Sequence, residues 1–96
     1  MRRSETQNIS EVIKQLLKEQ GLEGKIAENR LLNSWEDVLG KLVSKHTRSL
    51  YIKNRTLFVS LRSSIVRNEI LMIRDQLVKK LNEKAGSDII DEIVIR

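Results

Sequence analysis

Between Ser49 and Arg62 the apolar residues of this chain stop recurring every three or four positions and alternate instead. Leu50-Tyr51-Ile52 and Leu57-Phe58-Val59-Ser60-Leu61 follow the period of two that a half-buried strand requires, whereas Trp35 to Val43 and the residues after Ser64 follow a helical period. A strand pair bracketed by helices is therefore the frame any fold must accommodate. Asn54-Arg55 separates the two runs, and Asn tolerates the positive φ of a tight two-residue turn. Strands over Ser49–Lys53 and Thr56–Arg62 then place Leu50 opposite Val59, Tyr51 opposite Phe58, Ile52 opposite Leu57 and Lys53 opposite Thr56. The first and third pairs make a core face. Tyr51, Lys53, Phe58, Ser60 and Arg62 share the other.

The flanking segments complete the order. Residues 1–8 are polar and read as a flexible N-terminus, with residues 9–96 as one domain. Asn8 with Glu11 three positions on reads as a capping box for a helix over 8–20, with Ile9, Val12, Ile13, Leu16 and Leu17 as its apolar stripe. Gly21-Leu22-Glu23-Gly24 is a turn into a second, irregular helical segment. Ser34 caps a helix carrying Trp35, Val38, Leu39, Leu42 and Val43, in which the only Trp is a core anchor. Ser63 or Ser64 caps a long helix to about Ala85, with Val66, Ile70, Ile73, Leu77 and Leu81 on one face and Gly86 as the stop. Ile89 to Arg96 alternates and reads as a third strand. The predicted fold is α+β: a ββαβ unit, with a three-stranded sheet and a long packing helix, preceded by two or three N-terminal helices. This resembles a K-homology-like fold.

Charge is concentrated on the same frame. From Val38 to Asn68 the cations Lys41, Lys45, Arg48, Lys53, Arg55, Arg62 and Arg67 are interrupted by no Asp or Glu, although the chain has 13 carboxylates. The stretch carries +7 against a net +5, leaving −2 elsewhere, so the protein is polarised rather than uniformly basic. Clustered cations are the usual electrostatic footprint of nucleic-acid binding, and an acidic protein partner is the rival occupant.

Tyr51 and Phe58 beside Lys53 and Arg62 have the ingredients of a single-strand platform, with rings that stack bases and cations that track phosphates. The competing expectation is that the first helix covers these rings, because its Leu16/Leu17 stripe needs a partner and aromatics favour burial. Gly21-Leu22-Glu23-Gly24 has the letters of a Gly-x-x-Gly phosphate loop, but its internal residues are apolar and acidic, and a helix stop explains it. His46 has no acidic residue placed to orient it. Asp88, Asp91 and Glu92 form an acidic cluster of the kind that guards a strand edge. With no Cys and one His, neither a disulfide nor a metal site has an evident ligand set, and no cofactor is expected. No nucleophile–base pair is visible, so no enzyme is expected. No window approaches the roughly 20 apolar residues of a membrane span, so a soluble, cytoplasmic protein without membrane contact is expected.

Trp35-Glu36-Asp37-Val38-Leu39-Gly40, His46-Thr47, Leu57-Phe58-Val59, Ser63-Ser64 leading to Arg67-Asn68-Glu69-Ile70, and Leu81-Asn82, in that order and spacing, resemble the bacterial DciA-like family over roughly residues 9–96. The resemblance implies a K-homology-like domain that binds the replicative helicase DnaB and DNA and assists helicase loading. It also implies structural roles for Trp35, as a core anchor, and for Gly40, as a point of close helix approach. Family members are often catalogued as uncharacterised, sometimes with a zinc-ribbon label that this Cys-free chain does not fit. Together these readings predict a non-enzymatic adaptor that uses a basic hairpin surface, residues 41–67, on single-stranded or junction DNA. Lys45, Arg48, Lys53, Arg55, Arg62 and Arg67 are its phosphate contacts, and Tyr51 and Phe58 its stackers. The alternatives are a protein-interaction module without nucleic-acid affinity and a small RNA-binding protein.

Overall fold

The hairpin forms in the predicted register. A computed structural model of the chain describes residues 4–19 and 22–96. In it β1 (Thr47–Lys53) pairs antiparallel with β2 (Thr56–Leu61), with Leu50 opposite Val59, Tyr51 opposite Phe58, Ile52 opposite Leu57 and Lys53 opposite Thr56. Asn54 and Arg55 both take positive φ, 52° and 60°, as a two-residue turn matched to strand twist demands. Leu57, Val59 and Leu61 are buried on one face. Each such side chain contributes about 1.5–3 kcal/mol by burial, so a one-residue slip that turned all three outward would cost on the order of 5 kcal/mol. Burial therefore holds the register that the turn sets.

The third strand, β3 (Glu92–Ile95), is shorter than the predicted Ile89–Arg96 and lies parallel to β2, giving the sheet order β1-β2-β3. A parallel pair needs a crossover connection. Here it is α5 (Ser64–Met72) followed by α6 (Arg74–Ala85), so the single long helix expected over this stretch is two. The break falls at Ile73, whose φ of −112° and ψ of 16° leave the helical region. Ser63 is the cap of α5: its hydroxyl accepts from the Val66 N–H at 3.2 Å. Gly86, at φ 82°, ends α6, and the Arg30 guanidinium donates to the Ala85 carbonyl in the last turn of α6 at 3.1 Å. Asn82 braces the return to β3: its Oδ1 accepts from the N–H groups of Ile89 and Ile90, both at 3.0 Å, and its Nδ2 donates to the Ile90 carbonyl at 2.9 Å.

Four helices precede the hairpin: α1 (Ser4–Glu19), α2 (Glu23–Asn33), α3 (Trp35–Leu39) and α4 (Lys41–Lys45). The architecture is the expected α+β, with helices preceding a hairpin, a helical crossover and a third strand, and with more and shorter helices than the periodicity implied. The first helix already runs at Ser4, so Asn8 and Glu11 lie within it rather than at its start. The predicted turn over 21–24 is corrected at Glu23 and Gly24, which open α2; Gly21 lies outside the described residues. Ser34 does not cap α3, because its hydroxyl turns back to donate to the Leu31 carbonyl at 2.7 Å.

The core gathers Leu31 of α2, Trp35 of α3, the inner residues of β2, Ile70, Leu77 and Leu81 of the crossover helices, and Ile90 and Ile93. Trp35 is 3% exposed. Its indole N–H donates to the Thr47 hydroxyl at 3.0 Å, which donates in turn to the Val43 carbonyl at 2.7 Å, tying α3, α4 and the start of β1 together.

Gly40 splits the predicted helix over 35–45 into α3 and α4, and the reason is backbone conformation rather than close packing. A Cβ there would meet nothing within 4 Å, but φ 91° and ψ 169° lie in a region open essentially to Gly alone. Gly24, inside α2, has equally open surroundings and no such φ. The two glycines should therefore respond oppositely. Gly40→Ala is expected to destabilise the protein by about 1–3 kcal/mol, and Gly24→Ala to stabilise it by about 0.5 kcal/mol, both read from urea denaturation midpoints.

Candidate nucleic-acid interface

The helices pack on one face of the sheet, and among the described residues the other is left open. Leu50, Ile52, Leu57, Val59, Ile93 and Ile95 pack inward with the helices. Pleating sends Ser49, Tyr51, Lys53, Thr56, Phe58, Ser60, Glu92, Val94 and Arg96 to the other side, where Tyr51 is 44% exposed. The expectation that the first helix covers the rings is overturned. The α1 stripe is itself open, with Val12 60%, Ile13 51% and Leu16 49% exposed.

On that face the two rings stand against each other. Tyr51 and Phe58 occupy directly opposed positions of β1 and β2, and their rings stack at 5.0 Å between centroids and 14° between planes. Arg96 reaches over the Phe58 ring from the β3 side, its guanidinium carbon 5.1 Å from the centroid. Its backbone continues the parallel pairing, with the Arg96 N–H donating to the Val59 carbonyl at 2.8 Å and its carbonyl accepting from the Leu61 N–H at 2.9 Å. Phe58 is thus flanked on both sides, by Tyr51 and by Arg96. Tyr51 has Phe58 on one side only. Arg96 escaped sequence reasoning because only the strand order brings residue 96 beside residue 58.

The six predicted phosphate contacts divide into two groups. Lys45, Arg48, Lys53 and Arg62 are exposed and enter no ion pair among the described residues. Arg48 is the extra residue of a β-bulge, since the register shifts between Thr47 and Ser49. Such an insertion twists the strand and re-aims the side chain it carries. Arg62 lies at the open end of the hairpin, where its N–H donates to the His46 carbonyl at 2.9 Å. Lys53 lies at the turn end, about 20 Å away along the seven residues of β1. Tyr51 falls between them.

Arg55 and Arg67 make contacts within the protein. The Arg55 guanidinium makes a two-pronged bond to Asp91, Nε to Oδ2 at 2.9 Å and Nη2 to Oδ1 at 2.8 Å, and a third to the Asp88 carbonyl at 3.0 Å. The Asp91 N–H donates back to the Arg55 carbonyl at 2.8 Å. This cluster fastens the hairpin turn to the entry of β3, so Asp88 and Asp91 are a clasp rather than an edge guard. Arg67 is half-buried; its Nη2 leans on the Leu61 carbonyl at 3.5 Å, and its Nε is buried without a partner among the described residues.

No group of three or more metal-ligating side chains occurs among the described residues, and no described helix is long and apolar enough to cross a membrane. His46 contributes its backbone, closing α4 and accepting from Arg62.

The family described as "Dna[CI] antecedent, DciA" matches residues 8–95. A UPF0232 protein of Corynebacterium glutamicum is 27% identical over 89 residues, which cover 93% of this chain and 50% of the relative. UPF0232 proteins of Mycobacterium tuberculosis and Mycobacterium ulcerans are 24% and 22% identical, each over 93% of this chain and 48% of the relative. The chain spans about half the length of these curated relatives. No solved structure matches it.

The clasp has a pH signature. The hydrogen bond from Arg55 holds the Asp91 carboxyl below the ordinary carboxylate range, and the same bond raises the Arg55 guanidinium above its own ordinary value. A carboxyl lowered on folding contributes stability that is full above the unfolded value of about 3.9 and is lost as the pH falls through the lower folded value. Asp91→Asn is therefore expected to be less stable than the parent at neutral pH and to lose less on acidification below about pH 4. Urea denaturation across that range checks this, and parallel pH profiles for the two proteins would contradict it.

Proposed function

Because the chain belongs to the DciA family, we propose that it is a non-enzymatic nucleic-acid-binding adaptor that assists the loading or action of the replicative DNA helicase DnaB. The observation that carries this reading is the bare sheet side of the hairpin and its flanks. Lys45, Arg48, Lys53 and Arg62 stand exposed and unpaired among the described residues, within a stretch that holds no carboxylate. Arg55 and Arg67, engaged within the protein, are left out of the contact set. The four cations supply the sequence-independent attraction to phosphates, released counterions supply its driving force, and the exposed aromatic surface between Arg48 and Lys53 meets the bases. Single-stranded or junction DNA is the proposed ligand, with helicase contact made by another face in the cytoplasm.

No step of covalent chemistry is needed. An adaptor of this kind holds two partners near each other, and its affinity for the strand must stay modest enough to release it. An exposed, salt-screened set of cations has that property.

The test is fluorescence anisotropy of a labelled single strand at low and moderate salt. The double charge reversal Arg48→Glu with Lys53→Glu is expected to weaken binding at least tenfold at low salt. It should also flatten the dependence of log K on log salt by about 0.7 for each phosphate that is no longer neutralised. Arg55→Gln is expected to change that slope little. Unchanged affinity in the double variant would remove the basic hairpin from the mechanism. Tight binding to purified helicase with no affinity for any nucleic acid would instead favour a protein-interaction module.

A further inference from the structure

We infer that the outer ring face of Tyr51 is the seat for one unpaired base of a single strand. This deepens the nucleic-acid reading above and rests on it. Three observations carry it: the column Tyr51–Phe58–Arg96, the fixed backbone beneath it, and the cations around its open end.

The column has one free end. Phe58, on the central strand, is taken on both ring faces, by Tyr51 at 5.0 Å and by the Arg96 guanidinium at 5.1 Å. It therefore backs the stack and does not receive a base. Tyr51 stands on the outer strand β1 with its inner face on Phe58, and at 44% exposure its other face has room for a further planar group. Each member is held. Tyr51 and Phe58 are directly opposed in the antiparallel ladder, and Arg96 is fixed by two backbone hydrogen bonds at 2.8 and 2.9 Å. A ring already locked in place loses little freedom when a base settles on it, which is what makes a rigid aromatic an efficient anchor.

Charge supports the same occupant. Lys53 shares the face two residues along β1, and the bulge residue Arg48 lies on the other side of Tyr51 along the strand. A strand whose base sits on Tyr51 can therefore place its backbone phosphates toward a cation on either side. Glu92, the one acidic side chain among the described residues of this face, lies on β3 across the full width of the sheet from the open side of Tyr51. A duplex offers no free base face, so the seat selects unpaired nucleotides. DNA and RNA present the same base surface, and only the sugar separates them.

Tyr51 is the only Tyr in the chain, so its ring resonances in an aromatic proton–carbon NMR spectrum need no assignment. Short single-stranded DNA, the matched RNA and the matched duplex are titrated into the protein, in parallel with anisotropy measurements on the parent, Tyr51→Phe and Tyr51→Leu. The ring resonances should shift with either single strand and stay in place with duplex. Tyr51→Phe should bind as the parent, and Tyr51→Leu should lose roughly five- to a hundredfold in single-strand affinity while its salt slope is kept. Salt-dependent binding of the single strand with an unmoved Tyr51 ring and an undiminished Tyr51→Leu variant would overturn the seat and leave the basic interface standing. An equal ring shift with duplex would overturn it as well. Absence of binding to any of the three at low salt would remove the nucleic-acid reading and the seat with it. The ring measurement uses the unaltered protein, so it decides the matter even where Tyr51→Leu fails to fold.

Discussion

The parallel seam between β2 and β3 is the constraint from which the rest of the molecule follows. Two parallel neighbours cannot be joined by a turn, and the crossover that joins them must pass over one face of the sheet. Here α5 and α6 make that passage and bury Leu57, Val59 and Ile93 beneath Ile70, Leu77 and Leu81. With the crossover on one face, the chain places α2 and α3 against the same core. The opposite face is left to its own side chains. An open face on a three-stranded sheet is thus a product of topology, and its aromatic and cationic residues are what the topology exposes.

The same seam decides which cations are free. Where β3 begins, Asp88 and Asp91 come level with the hairpin turn and engage Arg55. An exposed ion pair is ordinarily worth little. This one is two-pronged, is reinforced by two backbone carbonyls, and sits on a residue held at positive φ. It closes the turn end of the hairpin much as the Trp35–Thr47–Val43 hydrogen bonds close the other. Between those two fastenings β1 is exposed, and Arg48, Tyr51 and Lys53 are displayed along it.

Local signals are legible in the residues themselves. Alternation and an Asn at the turn are enough to set the hairpin register, because a slip would expose three apolar side chains. The Ser63 cap and the Gly86 stop are likewise readable, since each acts within its own turn of helix. Long-range consequences are not. Nothing near Arg55 announces Asp91, and nothing near Phe58 announces Arg96; both pairings exist only once β3 has docked. The breaks at Gly40 and Ile73 are masked by apolar periodicity that continues across them. The uncovered rings are hidden for a similar reason: an apolar stripe on α1 argues for a partner on the sheet, whereas the stripe remains exposed.

The late position of β3 also orders assembly. The hairpin is complete once Leu61 has emerged from the ribosome, but Ile90 and Ile93, which seal its inner face, come more than two dozen residues afterwards. Through that interval β2 presents an apolar face and an unpaired edge, the combination most open to wrong partners. Contacts of such sequence separation also slow the search for the native pairing. The nascent domain must therefore wait, with its central strand exposed, for the last of its elements.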